Sequence, residues 1–322
     1  MSEKGQEKGQ EQEEAPNFNQ ICSDLKKAME GFGTDEEKLI TIVTDLSLRE
    51  RLKTKEAYKV NYGKDLIEDL KGELSGKFED LIIGLFTDPI EYDAENLYKS
   101  MKGAGTDEET LIEIIASRPP WLLKKIKEKF SENYKETLED FVKGDTSGDF
   151  QKILLGILEC KRSANKEEAE EECKKLAEEM WGDEGKKWKI EDGWFNKFFI
   201  ESSPEEMAAI SREFFRVSKK NVMNQIEESF SGDIKTLLKD VVYATISPSE
   251  YFAVKVNEAI QGFGTNNKKL IRILVSRNEV DMHLIIKYYK RLYKKDMIEE
   301  IKNEVSGDYQ KLILALLQKK NK

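Results

Sequence analysis

With 322 residues, 53 Lys and Arg against 63 Asp and Glu, and a net charge of −10, the chain lacks the basic excess that displaces counterions from nucleic acid. The same charge sets the bare protein against an anionic membrane unless something positive stands between the two surfaces. A 39% hydrophobic content with six prolines, three cysteines (Cys22, Cys160, Cys173) matching no metal knuckle, and no apolar run approaching the roughly 18 residues of a membrane span predict a soluble, largely helical protein of the reducing cytosol.

Residues 1–18 are polar and charged, which predicts a disordered tail rather than a secretory leader or an anchor. From there the chain divides into units at 19–88, 89–160, 169–245 and 246–322, with a charged linker at 161–168. Each unit parses as about five short helices. In the second they are expected near 91–102, 107–117, 119–129, 135–143 and 148–159, with Pro119-Pro120 suited to a helix start. Units of this length exceed the common helical solenoid periods, so each is expected to bury a core of its own.

One helix–loop–helix sentence recurs at 29–43, 101–118 and 260–274. A helix breaks at Gly-x-Gly, and a new one starts after the following Thr. In the second copy Thr106 and Glu109 fit a capping box, and Leu111, Ile112, Ile114 and Ile115 form a buried stripe at helical spacing. An acid follows the first loop glycine at the same interval each time: Gly31 to Glu73, Gly103 to Asp145, Gly262 to Glu304. The corresponding place in the third unit holds Ser229.

A helix ending in Gly-x-Gly leaves its last carbonyls unpaired at the negative end of the helix dipole. Carbonyls of Met101, Gly103 and Gly105 with a bidentate Asp145 carboxylate would offer about five oxygens, fewer than the roughly six to eight that Ca2+ takes in loose geometry. One carboxylate against a divalent ion leaves net positive charge, so a lipid phosphate is a natural last ligand. Several such sites acting together make membrane binding steep in Ca2+. A single Gly-x-Gly-Thr is an ordinary pair of helix caps; three copies with a matching distant acid favour the metal reading.

The repeated loop, its paired acid and the Leu-Ile-x-Ile-hydrophobic-x-Ser-Arg run of 111–118 resemble the annexin family over about residues 19–318. The resemblance implies an all-α fold of four annexin-type repeats arranged in a slightly curved disc, with Ca2+ as cofactor and reversible binding to acidic phospholipid. Carried over, the ligands fall on Met29, Gly31, Gly33 and Glu73; on Met101, Gly103, Gly105 and Asp145; and on Ile260, Gly262, Gly264 and Glu304. Ile260 would give only a backbone oxygen, and Asn266 stands where an acid is usual. Minor sites would fall on Thr34 with Glu36 and on Thr106 with Glu108. The third repeat departs: Trp188-Lys189-Ile190-Glu191 replaces the glycine-bearing loop, in keeping with the lost acid at Ser229, so no standard site is expected there. Asp45-Leu46 and Glu201-Ser202 also replace the Ser-Arg kept at Arg118 and Arg277.

Phe32 and Phe263 sit between the loop glycines, where an exposed ring suits the headgroup level of a bilayer or folds back on its own loop. Residues 180–194 hold three of the four tryptophans together with Asp183, Glu184, Glu191 and Asp192. They read as a loop packed on the third repeat, with a membrane wedge or a divergent ion site as alternatives. No Ser or Cys has a base partner in sequence, His283 reads as a helical surface residue, residues 72–78 fail the phosphate-loop spacing, and no EF-hand loop occurs, so no enzyme is expected. The Lys-rich stretches 124–129 and 287–295 read as solvated helix faces. The whole predicts a cytoplasmic monomer recruited to acidic membranes by Ca2+, with lateral assembly there. The alternatives are a Ca2+-insensitive scaffold for a cytoskeletal protein and an ion path along Asp93, Arg118 and Arg272.

Overall fold

A computed structural model of the chain describes residues 16–31, 33–163, 170–182, 186–262 and 264–319. Most of the expected tail and of the linker, along with Phe32, Phe263, Asp183 and Glu184, lies outside these residues. Every regular element among them is helical. The first five helices are α1 (Phe18–Ala28), α2 (Glu36–Asp45), α3 (Leu48–Tyr62), α4 (Leu66–Glu73) and α5 (Gly76–Phe86). Next come α6 (Pro89–Met101), α7 (Glu108–Ser117), α8 (Pro120–Tyr134), α9 (Leu138–Asp145) and α10 (Gly148–Leu158). The third group has α11 (Glu170–Trp181), α12 (Pro204–Ser218), α13 (Val222–Ser229) and α14 (Gly232–Ile246). The last has α15 (Pro248–Ile260), α16 (Asn267–Arg277), α17 (Met282–Tyr293), α18 (Met297–Glu304) and α19 (Gly307–Gln318).

Local signals account for these boundaries. Proline at the first position opens α6, α8, α12 and α15, where its missing N–H is no loss. Ser47 with Glu50 and Ser203 with Glu206 close full capping boxes on α3 and α12. Leu123, Ile126 and Phe130 bury one face of α8 at helical spacing. Helices α3, α8, α12 and α17 each end on a left-handed residue: Gly63 (φ 66), Lys135 (φ 62), Lys219 (φ 59) and Lys294 (φ 59). The expected capping box of α7 is corrected: Asp107, not Thr106, caps the helix and accepts from the Thr110 N–H at 3.0 Å. The Asp carboxylate is the stronger acceptor, and Thr106 is engaged elsewhere.

The third group reaches about five helical elements by a different route. Between α11 and α12 the described residues hold no second α-helix; a loop through Trp188 and Trp194 leads into a π-helical turn, Lys197–Glu201. Phe198, Phe199 and Ile200 are consecutive and all buried. An α-helix turns one stripe inward, whereas the wider π turn accommodates three neighbours facing the core. Arg162 stitches the turn down by donating to the carbonyls of Phe199 (2.6 Å) and Ser202 (2.7 Å), and burial pulls its guanidinium down to about 10.

Two compact units emerge. In the first, α1–α5 are joined by α19, which packs on α2 and α5. Arg51 is buried there with its guanidinium on the carbonyls of Leu46 (2.7 Å) and Leu85 (2.8 Å), and Lys319 donates to the Thr44 carbonyl. The second unit holds α6–α18, with α7 against α14, α6 against α8, α11 against α12 and α15 against α17. Its apolar core runs from Ala94 and Leu97 through Ile114 and Phe130 to Phe199, Phe214 and Leu238. No helix among the described residues is long and apolar enough to cross a membrane.

Candidate functional site

The glycines of the three Gly-x-Gly loops share one conformation. Gly31 and Gly33 have φ of 116° and 93°, Gly103 and Gly105 of 117° and 90°, Gly262 and Gly264 of 138° and 94°. These angles lie where residues with a Cβ are strained, so each loop needs both glycines. An equivalent hydrogen bond staples each loop shut: Asp35 N–H to Ala28 O (2.8 Å), Asp107 N–H to Ser100 O (2.7 Å), Asn266 N–H to Ala259 O (2.8 Å). The glycines are exposed, while the side chains of Met29, Met101 and Ile260 are buried, which leaves these three residues only backbone to offer.

Each loop meets its distant acid. Thr34 Oγ1 donates to the Glu73 carbonyl at 3.4 Å and Thr265 Oγ1 to the Glu304 carbonyl at 3.2 Å. Thr106 Oγ1 reaches both the Asp145 carbonyl (3.2 Å) and its carboxylate (2.7 Å). Glu73 and Glu304 are exposed and Asp145 half-buried, each at the end of its helix, α4, α18 and α9. Every described residue of the three principal sets is thus gathered at a loop with its own acid. The donor chemistry, backbone carbonyls plus one carboxylate at an exposed helix end, fits a hard cation of loose geometry. For the minor positions, Thr34 and Thr106 commit their hydroxyl protons to this link, and Glu36 and Glu108 open α2 and α7.

In the second unit two of these loops leave from one end of a helix pair. Glu109, Thr110 and Glu113 of α7 meet Asn266, Lys269 and Arg272 of α16 in the same order along both helices. Burial pushes the Glu113 carboxyl up, but the charge and paired hydrogen bonds of Arg272, with Arg118 and Lys269 beyond, reverse this and hold it below its ordinary value. Asp93 and Arg118 form a second buried pair, at 2.7 and 2.9 Å. The charges proposed for an ion path are therefore bound in side-chain pairs: Asp93 to Arg118, Arg272 to Glu113.

The third repeat places a different chemistry at the same corner. Ser229 Oγ accepts the Trp188 N–H at 3.0 Å, and the Trp188 indole donates to the Met180 carbonyl at 2.7 Å. Asp192 accepts the Lys189 N–H at 2.8 Å. Trp188 packs edge-on against Trp194 (4.8 Å) and Phe214 (5.2 Å), and both tryptophans are buried. Trp188 and Trp194 are core residues, as the packed-loop reading has it. Sequence reading missed the link from Thr265 to Glu304 and the contacts between α7 and α16; the one local hint was Asn266 in an acid's place.

The Annexin family model matches residues 20–85, 92–157 and 251–316, passing over the third repeat. Human annexin A4 is 36% identical over 304 residues, covering 94% of this chain and 95% of that protein. Human annexin A7 is 35% identical over 309 residues, 94% of this chain and 62% of the longer relative. Among solved structures, annexin III superposes with a TM-score of 0.90 at 33% identity, covering 95% of both chains. Calcium-bound annexin (Sm)1 superposes at 0.82 with 25% identity, covering 95% of this chain and 91% of that one.

Proposed function

The chain belongs to the annexin family, known for Ca2+-dependent phospholipid binding, and on that premise we propose that it binds anionic membranes through Ca2+ bridges at its first, second and fourth repeats. The observation that carries this reading is the threefold match of loop backbone, threonine link and an acid at one fixed interval. In each site the carbonyls of the helix-terminal residue and the two glycines would hold the ion with the acid: Met29, Gly31, Gly33 and Glu73; Met101, Gly103, Gly105 and Asp145; Ile260, Gly262, Gly264 and Glu304. Bound Ca2+ would supply positive charge that a lipid phosphate completes. Thr34 with Glu36 and Thr106 with Glu108 would add minor sites, and Phe32 and Phe263 would touch the headgroups.

The repeats are taken as 19–88, 89–160, 169–245 and 246–322, the third without a metal loop. The role is non-enzymatic: a cytoplasmic monomer recruited to membranes, assembling laterally there for membrane organisation, trafficking or scaffolding. Cosedimentation with phosphatidylserine vesicles tests it. Pelleting in Ca2+ and release by chelator is the expected result. Pelleting with chelator present, or none in either condition with cytoskeletal protein bound instead, would point to the Ca2+-insensitive scaffold.

A further inference from the structure

We infer that Glu109 of the second repeat is a positioning residue for Asn266, which closes the fourth repeat's loop at the start of α16; the metal role of that loop rests on the proposed function above. The helices that follow the first and second loops each open with two acids, Glu36 and Glu37 in α2, Glu108 and Glu109 in α7. Acids there complement the positive end of the helix dipole. The fourth-repeat helix α16 has no acid in its first turn and begins Asn267-Lys268-Lys269. Two cations at that end oppose its dipole.

The missing negative charge arrives from a distant part of the chain. Glu109 Oε2 accepts from the Asn266 side-chain amide at 3.0 Å, and Oε1 accepts from Lys269 Nζ at 2.7 Å. Lys269 is almost fully buried and also meets Glu258 at 2.7 Å, whereas Glu109 stays half-exposed. Asn266 is at the same time the cap of α16, accepting the Lys269 N–H at 3.1 Å, and the staple of the loop through its own N–H on Ala259. One carboxylate therefore grips both the cap and the third residue of a helix in another repeat. It also explains the departure at position 266. Asp35 and Asp107 hold this place in the other loops, but an aspartate here would face Glu109 with like charge, while asparagine turns a donor toward it.

Hydrogen exchange on the full chain in chelator, before any metal enters, tests the brace. In Glu109→Ala the Asn266 amide is expected to exchange about tenfold faster, the effect of losing a charge-assisted hydrogen bond at a partly exposed site. The equivalent Asp35 amide, in the other unit, stays unchanged. Asn266→Asp alone is expected to do the same, and Asn266→Asp with Glu109→Gln to restore protection, because the glutamine amide then donates to the aspartate. Unchanged protection at 266 in Glu109→Ala, equal acceleration at Asp35, or no rescue in the double variant would overturn the inference. Titration of Ca2+ against phosphatidylserine vesicles separates it from the metal reading. A raised midpoint in Glu109→Ala supports both. The expected exchange pattern with an unmoved midpoint supports the brace and overturns the metal assignment of this loop.

Discussion

The second and third repeats solve the same corner in opposite ways. In the second, two glycines at positive φ open the backbone toward solvent, and Thr106 holds a carboxylate beside it. In the third, Lys189 and Ser229 occupy the matching places, and a serine hydroxyl ties the loop backbone shut over a buried tryptophan. One corner keeps oxygens available for a charged guest; the other turns its polar groups inward and fills the space with rings. Losing the acid and losing the glycine are one event in physical terms. Without the carboxylate an open loop has nothing to hold, and the unmet carbonyls favour burial or internal bonding.

The contrast breaks most sharply if the acids are removed where they remain. A chain carrying Glu73→Ala, Asp145→Ala and Glu304→Ala is expected to lose Ca2+-dependent vesicle pelleting altogether, with its thermal midpoint in chelator close to the parent's, because Glu73 and Glu304 lie at the surface and the half-buried Asp145 gives up only its side-chain hydrogen bond to Thr106. Asp145→Ala alone should raise the Ca2+ midpoint without unfolding the protein. Unmoved midpoints in both would remove the ligand assignment.

On the closed corner, Trp188→Ala is expected to destabilise by about 3–5 kcal/mol through cavity formation and an orphaned Met180 carbonyl. The Ca2+ midpoint of vesicle binding should hold, and chemical unfolding beside vesicle titration checks both halves. A comparable loss, about 3 kcal/mol, is expected for Glu113→Gln, which leaves the Arg272 guanidinium buried without its charge partner. Because the folded-state pKa of Glu113 is depressed, its contribution is intact above the ordinary value of 4.5 and fades as pH falls below it. The variant should therefore show a shallower acid limb in its stability curve, and an acid limb parallel to the parent's would refute the pairing account. The smallest effect sharpens the comparison: Ser229→Asp by itself should gain no Ca2+ site, measured by titration calorimetry, since no residue of 186–192 has the positive φ of the glycine loops.

Much of this was legible because the signals are local or strictly spaced. Helical periodicity and prolines at helix starts located the helices of the second repeat to within a few residues at most ends; α8 ran on to Tyr134 and α9 began at Leu138. The fixed interval from loop glycine to acid picked out the residue whose backbone carbonyl the loop threonine contacts in each of the three repeats. What failed was competition between neighbours. Thr106 and Asp107 both cap helices well, and only the tertiary partner Asp145 decided which did so. The π turn was equally hidden, since Phe198-Phe199-Ile200 fits a buried helix until the surrounding core claims all three side chains. The grip of Glu109 on Asn266 and Lys269 has no sequence signature, for its partners lie two repeats further along the chain.

The left-handed ends of α3, α8, α12 and α17 carry a practical consequence. Only the first of the four uses glycine; the others hold a lysine in a backbone state that costs an L-residue roughly 1–2 kcal/mol. The ammonium groups of Lys135 and Lys219 recover part of this by donating to the carbonyls of Glu132 and Arg216. Lys135, Lys219 and Lys294 are thus three independent points of unclaimed thermal margin, remote in sequence from the loop residues, where engineering toward glycine would harden the scaffold while leaving its chemistry alone.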